Sequence, residues 1–199
     1  MIRNIWAVGR NYADHAKELG NAVPSKDTTP PLIFLKAGSC ATFSAKEMCL
    51  PEGTHELHHE IELALQFDHN LEIKKACMAI DLTDRAKQNT LKAAGHPWTL
   101  AKSFKDACPL SEFFPVKDLN ELQNLTLRLS VNDQLRQNAS TQDMIFSIPT
   151  LIEYVLQHFP VVPGDLLLTG TPAGVGPLHR GDKVSAEIVG KVQHSWLVI

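Results

Sequence analysis

A strictly alternating segment, EIELALQF at residues 60–67, constrains the fold of this chain more than any other feature of its sequence. Its apolar side chains recur at every second position, which is the period of a β-strand rather than that of a helix. The odd-numbered positions carry large apolar residues and face a core, whereas Glu60 and Glu62 share the opposite face. The segment therefore predicts a strand that brings two carboxylates together.

The remainder of the chain reads as short strands separated by turns rich in Gly and Pro, with three short helical segments. Regular alternation of strands and helices is missing, which argues against a Rossmann or TIM architecture. The third helix is predicted to start at a capping box, Thr150 to Glu153. Further strands are predicted at 32–36, 76–80, 125–131, 165–169, 183–189 and 195–199, and helices at 12–19, 81–95 and 150–159.

Length and composition limit the function classes. The 199 residues suffice for one domain with its own core, so we expect a single domain over 1–199. The net charge of -3 argues against nucleic acid or an anionic membrane as the main partner, since both require a basic surface. No apolar run reaches membrane-spanning length, and the N-terminus lacks signal-peptide features. Four cysteines without a CxxC pair favour buried, reduced thiols, so we expect a cytoplasmic protein.

The two glutamates of the alternating strand are candidate metal ligands. Two like charges at positions i and i+2 repel when buried, unless a cation joins them. Asp81 stands at the end of the next apolar run and can supply a third carboxylate. Three oxygen ligands select a hard ion, Mg²⁺ or Mn²⁺, over zinc. The alternatives are a solvent-facing strand edge for the glutamates and a helix N-cap for the aspartate.

Other polar residues are candidates for catalysis or substrate binding. His15 and Glu18 are three residues apart on a short helix, so the carboxylate can orient the imidazole and raise its basicity towards water. Lys102 lies in the mostly apolar segment WTLAKSF, where an ammonium group can neutralise a substrate carboxylate or an enolate. Thr171 lies in a Gly-rich turn that lacks the lysine of a phosphate loop. A surface His–Glu pair and a surface lysine remain open as alternatives.

Residues 55–59 match the HExxH pattern of zinc peptidases. That pattern binds zinc only on a helix, where residues four apart share a face. Here it follows Gly53 and runs into the alternating strand, and in an extended chain His55 and His59 would be about 13 Å apart at ~3.3 Å per residue. We therefore expect ordinary histidines entering a strand. The zinc peptidase stays an alternative that zinc-dependent casein cleavage would reveal.

Six segments occur in this order along the chain: GRNYADHAKE (9–18), HHEIEL (58–63), DLTDRAKQ (81–88), WTLAKSF (98–104), MIFSIP (144–149) and GDLLLTGTPAGVGP (164–177). Together they resemble the fumarylacetoacetate hydrolase family, most closely its small acylpyruvate hydrolases and oxaloacetate decarboxylases. The resemblance covers nearly the whole chain. It implies a β-rich α+β fold, a mixed β-roll or barrel-like sandwich with short peripheral helices, and a homodimer.

The resemblance also implies a role for each candidate residue. The ligands of Mg²⁺ or Mn²⁺ would be Glu60, Glu62 and Asp81. His15 and Glu18 would activate water from a lid, residues 12–31, that becomes ordered when a ligand binds. Contacts to the substrate or to the lid would come from Arg85, Gln88, Lys102 and Thr171.

We therefore expect a metal-dependent enzyme that cleaves a carbon–carbon bond in small 2-oxo acids through an enolate that the ion stabilises. With an acylpyruvate, the activated water attacks the distal carbonyl and pyruvate enolate departs. With oxaloacetate, carbon dioxide departs and the same enolate remains. Two alternatives stay open: an isomerase or decarboxylase of aromatic degradation within the family, and a metal-binding protein that has lost catalysis.

Overall fold

The computed structural model describes residues 2–43, 45–54 and 56–199. Within these ranges the chain forms sixteen mostly short strands and four short α-helices. The helices are α1 (Ala13–Glu18), α2 (Arg85–Ala93), α3 (Thr99–Lys102) and α4 (Ile148–His158). The strands are β1 (Asn4–Gly9), β2 (Leu32–Ala37), β3 (Ala41–Phe43), β4 (Glu47–Met48), β5 (Leu57–His59), β6 (Ile61–Phe67), β7 (Ile73–Ile80), β8 (Thr83–Asp84), β9 (Cys108–Leu110), β10 (Phe114–Pro115), β11 (Thr126–Val131), β12 (Gln134–Ser140), β13 (Leu166–Leu168), β14 (Gly176–Pro177), β15 (Lys183–Ile188) and β16 (Val192–Val198).

The strands form three sheets, and the largest one curls into a half-barrel. Its order is β2-β1-β13-β6-β7-β9-β3, with β10 added beside β7. The second sheet has the order β12-β11-β15-β16-β4, and the third has the order β14-β5-β8. The predicted β-rich class with short peripheral helices is confirmed. The alternating segment forms β6, which lies in the middle of the largest sheet between β13 and β7.

Both faces of β6 are buried. Its large odd-numbered residues pack in the main core together with residues of the second sheet, such as Leu127 and Trp196. Ala64, on the other face, belongs to a smaller core that includes Ile5 and Leu168. Glu60 and Glu62, at the start of this strand, are buried as well. The alternative that these two glutamates lie on a solvent-facing strand edge is therefore wrong.

Two helix starts differ from the sequence prediction. The helix predicted from Asp81 begins at Arg85, because Asp84 caps it and accepts a hydrogen bond from the Lys87 backbone N–H. Residues 83–84 form β8 instead and pair with β5. The predicted capping box at Thr150 is also wrong: Ser147 is the N-cap of α4, and its hydroxyl accepts the Thr150 N–H.

Three of the four cysteines are buried, as expected from the sequence, and one is not. Cys40, Cys77 and Cys108 are buried free thiols, whereas Cys49 is exposed. Burial raises the pKa of the Cys77 and Cys108 thiols above the ordinary range, so these two are poor nucleophiles. In the described part of the chain, no helix is both long enough and apolar enough to cross a membrane.

Candidate active site

Three carboxylates meet where β6 begins and β7 ends. Glu60 and Glu62 flank Ile61, and Asp81 directly follows the last residue of β7. The Asp81 backbone N–H donates to the Glu60 carbonyl at 2.8 Å, which holds the two strand ends side by side. One oxygen from each carboxylate lies within 4.8 Å of the others, and all three side chains are buried. The structure thus brings together the three residues that the sequence singled out, and Asp81 is not the cap of α2.

Three buried cations surround this carboxylate cluster. Lys102 donates to Glu60 at 2.8 Å and to Asp81 at 2.5 Å, so it is not the surface lysine that the sequence left open. Arg85 donates to the second Glu60 oxygen. Lys36, which is fully buried on β2, donates to the second Asp81 oxygen at 2.6 Å. Burial alone would raise the pKa of Glu60, but Lys102 and Arg85 outweigh burial and hold it well below the usual range.

Glu62 differs from its two neighbours because no described side chain cation hydrogen-bonds to it. Its one recorded donor is the backbone N–H of Gly170, at 2.6 Å. Burial, followed by the negative charge of Asp81, raises the pKa of Glu62 well above the ordinary carboxyl range. Among the described side chains, Glu62 thus has no hydrogen-bonded cation, whereas Glu60 and Asp81 have two each.

This donor set fits a hard divalent cation. A cation beside Glu62 would remove the cost of its charge, and the oxygens of Glu60 and Asp81 lie close enough to share the ion. Carboxylate oxygens without cysteine or histidine in the cluster are typical ligands of Mg²⁺ and Mn²⁺. The residues present therefore fit the metal that the sequence predicts.

The predicted His–Glu pair lies on α1 and faces the same site. His15 Nδ1 and Glu18 Oε2 are 3.3 Å apart, and His15 is only 6% exposed, so the pair is not a simple surface contact. Burial lowers the pKa of His15 below its ordinary value despite the nearby carboxylates Glu60 and Glu18. The imidazole is therefore mostly neutral near pH 7 and can accept a proton.

A backbone group that is distant in the sequence holds α1 in place. The Gly174 N–H donates to Glu18 at 3.1 Å, across a sequence separation of 156 residues. Gly174 has a φ of +97°, and a Cβ atom there would lie 1.9 Å from the Arg136 carbonyl oxygen. Only glycine therefore fits this position, and the Gly-rich turn serves as an anchor for the helix that carries His15.

A small cavity joins these groups. Its volume is about 40 Å³, room for roughly three water molecules at ~10–15 Å³ each. All predicted site residues line it except Glu18, which reaches it through His15. The lining comprises His15, Glu60, Glu62, Asp81, Arg85, Gln88, Lys102 and Thr171, together with Val8, Gly9, Arg10, Leu19, Asn21, Phe34, Lys92 and Trp98.

Gln137 in β12, which the sequence does not single out, connects two parts of the site. Its carboxamide oxygen accepts the Ile61 N–H at 3.0 Å, between the two glutamates. Its amide nitrogen donates to the Thr171 hydroxyl at 2.8 Å and to the Pro172 carbonyl at 2.9 Å. Gln137 is fully buried and therefore fixes the carboxylate strand relative to the Thr171 turn. Nothing in the polar segment QLRQNAS distinguishes it from a surface residue.

The described part of the HExxH pattern forms a strand and not a helix. His58 and His59 lie in β5, and His59 Nδ1 contacts Gln137 at 3.2 Å. Burial lowers the pKa of His59 to about 4, so it is a neutral structural residue at pH 7. His55 lies outside the described residues. The strand geometry of 57–59 does not match the helical motif of zinc peptidases.

Comparison with known proteins places the site in a family context. The family model described as fumarylacetoacetate (FAA) hydrolase C-terminal matches residues 4–195. The mitochondrial oxaloacetate tautomerase FAHD1 of Bos taurus is 40% identical over 198 residues, which cover 94% of this chain and 88% of the bovine protein. A mitochondrial oxaloacetate decarboxylase of Dictyostelium discoideum is 39% identical over 199 residues, covering 94% and 89%.

A solved structure extends the comparison to a metal complex. The fumarylpyruvate hydrolase of Pseudomonas aeruginosa, crystallised with Mn²⁺ and pyruvate, superimposes with a TM-score of 0.91 at 28% identity. The match covers 100% of this chain and 90% of the Pseudomonas chain. The bovine relative is named for tautomerisation, an isomerisation that breaks no carbon–carbon bond; the sequence predicted carbon–carbon cleavage and left an isomerase of aromatic degradation open as an alternative.

Proposed function

This chain belongs to the fumarylacetoacetate hydrolase family and is an enzyme, and from that premise we propose that it forms the enolate of oxaloacetate and of short acylpyruvates. One observation carries the proposal: Glu62, which has no hydrogen-bonded cation among the described residues, lines the same cavity as the buried His15 imidazole and the Lys102 ammonium group. An ion site, a proton acceptor and a fixed cation are the groups that enolate formation from a 2-oxo acid requires.

We propose Glu60, Glu62 and Asp81 as the ligands of Mg²⁺ or Mn²⁺. An ion bound there would supply Lewis-acid polarisation of the 2-oxo group. The carboxylate-only donor set supports this assignment, and so does the Mn²⁺ in the Pseudomonas relative.

The chain's own residues supply the remaining interactions. Lys102 carries a buried positive charge beside the cluster and can stabilise the oxygen that becomes negative. Gln137 donates to the Thr171 oxygen, so the Thr171 hydroxyl proton is free to donate to a ligand. Arg85 Nε is buried without a recorded partner among the described residues, and Gln88 accepts from Arg85 Nη1, which leaves the Gln88 amide protons available. These donors suit the carboxylates of a 2-oxo diacid.

The three reactions named for the relatives differ only in what leaves the substrate. In tautomerisation a C3 proton moves to a base and the enolate oxygen is then protonated. In decarboxylation the electrons of the breaking bond remain as the enolate and carbon dioxide departs. In hydrolysis a water attacks the acyl carbon while a base takes its proton. The bond between the acyl carbon and C3 then breaks, its electrons form pyruvate enolate, and the acyl group leaves as a carboxylic acid. We propose His15, oriented by Glu18, as the base for the first and third reactions.

Oxaloacetate and acetylpyruvate assays test this function directly. Enol absorbance follows tautomerisation, and a coupled assay of pyruvate release follows decarboxylation and hydrolysis. After chelation and dialysis, we expect activity on at least oxaloacetate to return with Mg²⁺ or Mn²⁺. Activity that is equal with and without the ion, or no turnover of either acid at saturating ion, would show that the proposal is wrong.

We propose that residues 12–31 act as a lid over the single domain. Between Glu18 and Leu32 there is no helix or strand, and residues 25–30 are all exposed. Segments with so few packed contacts open at low free-energy cost. The contact of Glu18 with Gly174 supports a closed position in which His15 is buried.

Amide hydrogen exchange tests whether residues 12–31 act as a lid. We expect amides 13–31 to exchange rapidly in the free enzyme and to become protected when oxalate and Mg²⁺ are added together, since oxalate is a planar mimic of pyruvate enolate. The amides of β6 serve as the internal control, because they are buried in both states. Equal exchange of 13–31 with and without oxalate would contradict a lid.

The homodimer and the cytoplasmic location stay predictions.

A further inference from the structure

Two cations at the mouth of the cavity have no counter-ion in the described part of the chain. Arg10 and Lys92 both line the cavity. No ion pair or side-chain hydrogen bond is formed by Arg10 within residues 2–43, 45–54 and 56–199, and Lys92 donates only to the neutral Asn21 amide oxygen, at 3.2 Å. The three deeper cations, in contrast, are each paired with a carboxylate.

The backbone holds Arg10 in an unusual conformation at this place. Its φ is +61°, in the left-handed region that non-glycine residues rarely adopt. The next residue fixes that turn, because Asn11 is fully buried and its side chain bonds to the Thr169 carbonyl and to both backbone groups of Phe146. A guanidinium at a position where glycine would fit more easily indicates a function for the side chain.

The second cation belongs to a polar stripe along α2. Arg85, Gln88 and Lys92 are spaced i, i+3 and i+7, so they share one face of the helix. Lys92 lies about 10 Å further along the axis than Arg85, at ~1.5 Å per residue. Arg85 contacts the carboxylate cluster, whereas Lys92 is exposed at the rim. We expect a four-carbon acid held at the cluster to place its second carboxylate near Arg85 and Gln88, so that only a longer chain would reach Lys92.

Part of the cavity wall is aromatic. Phe34 and Trp98 both line the cavity, and their ring centroids are 5.6 Å apart. Such a surface suits the hydrocarbon part of an acyl chain and offers nothing to a second polar group. The cavity lining thus combines carboxylate oxygens, an aromatic surface and two cations that have no counter-ion among the described residues.

We propose, on the basis of the function proposed above, that Arg10 and Lys92 bind the terminal carboxylate of acylpyruvates whose acyl group ends in a carboxylate. The site then takes two substrate lengths: oxaloacetate at the deep end, and longer 2,4-dioxo diacids that extend to the rim. Partial burial, together with the charges of Arg10 and Arg85, lowers the pKa of Lys92, so a bound carboxylate would also relieve repulsion among these cations.

Kinetics of rim variants test the proposal. The readout is the preference for succinylpyruvate over acetylpyruvate, which lacks the terminal carboxylate, expressed as a ratio of kcat/KM. We expect Lys92→Gln and Arg10→Asn each to lower this ratio about tenfold, through KM, since charge-assisted hydrogen bonds contribute to binding of both ground and transition states. Asparagine tolerates the left-handed φ of position 10, and Lys92→Arg, which keeps the charge, should restore the preference.

The matched control is Lys87→Gln, which removes an exposed lysine of the same helix that does not line the cavity. Its ratio should equal that of the parent. A ratio unchanged in both rim variants, or lowered equally in Lys87→Gln, would overturn the inference.

A binding experiment separates this inference from the proposed function. Calorimetry with Mg²⁺ compares N-oxalyl-β-alanine, a 2-oxo acid analogue with a terminal carboxylate, with N-propyloxamate, which lacks it. We expect the first to bind about tenfold more tightly to the parent enzyme, and the difference to vanish in Lys92→Gln. If the enzyme turns over none of the acids, the proposed function is wrong. The two analogues still test whether Arg10 and Lys92 bind a terminal carboxylate. Equal affinities of the parent for both analogues would overturn the inference.

Discussion

Glu62→Gln is expected to weaken the binding of Mg²⁺ or Mn²⁺ by about 100-fold or more, because even groups that only support a metal ligand contribute about 10–100-fold to affinity. The substitution removes one negative charge from the carboxylate that lacks a positive partner in the described protein. Activity at a fixed, low ion concentration should fall by the same factor, and excess ion should restore part of it.

The unfolding temperature of Glu62→Gln shows whether the loss of ion binding is a local effect. Glutamine resembles the neutral form of the carboxyl group, and burial already raises the pKa of Glu62 well above its ordinary range. Without the ion, the variant should therefore unfold at the same temperature as the parent or at a higher one. Glu72→Gln is the matched control, since it makes the same chemical change at an exposed carboxylate paired with Lys74. Calorimetry that finds parental ion affinity in Glu62→Gln would contradict the ligand assignment.

His15→Ala is expected to lower acylpyruvate hydrolysis by about 10²–10⁴-fold, the usual contribution of a general base. Hydrolysis requires a water that loses its proton as it attacks, and the buried imidazole is the proposed acceptor. Decarboxylation of oxaloacetate needs no such water, because the electrons of the breaking carbon–carbon bond stay on the substrate as an enolate, which a positive group such as Lys102 can stabilise. Decarboxylation should therefore fall clearly less, whereas Lys102→Ala should damage both reactions.

The pH profile gives a second readout of the same group. Burial lowers the pKa of His15, so the base stays neutral and active down to about pH 6.5 and is lost only as the pH falls below its ordinary value. The acidic limb of kcat/KM for hydrolysis should lie below that pH and disappear in His15→Ala. His69→Ala, at a side chain that is 83% exposed, is the control. Turnover of acetylpyruvate by His15→Ala within about threefold of the parent would rule out the proposed base.

Local patterns predicted the parts of the site that depend on one segment. Strict alternation placed Glu60 and Glu62 on one face of a strand, and helical spacing paired His15 with Glu18. The start of α2 was misplaced because Asp81 and Asp84 are equally good caps in the sequence, and only the pairing of β8 with β5 decides between them.

Residues that act across the fold could not be identified in this way. Lys36 reaches Asp81 from a strand 45 residues earlier, and Gln137 reaches Ile61 from the second sheet. Their roles arise from which strands become neighbours, and a single sequence does not contain that pairing. The one available sign was a lone lysine in the apolar segment LIFLKA, which is the same sign that singled out Lys102.

The pairing of Glu60 and Asp81 with the chain's own cations has a consequence for how the cell can control this enzyme. Two of the three proposed ligands already have positive partners, so the barrel should assemble before any metal arrives, unlike small domains that fold only around zinc. Removing the ion should then abolish activity while the protein stays folded and resistant to degradation. The supply of divalent ions would thereby regulate how fast each molecule works, while the number of molecules stays constant.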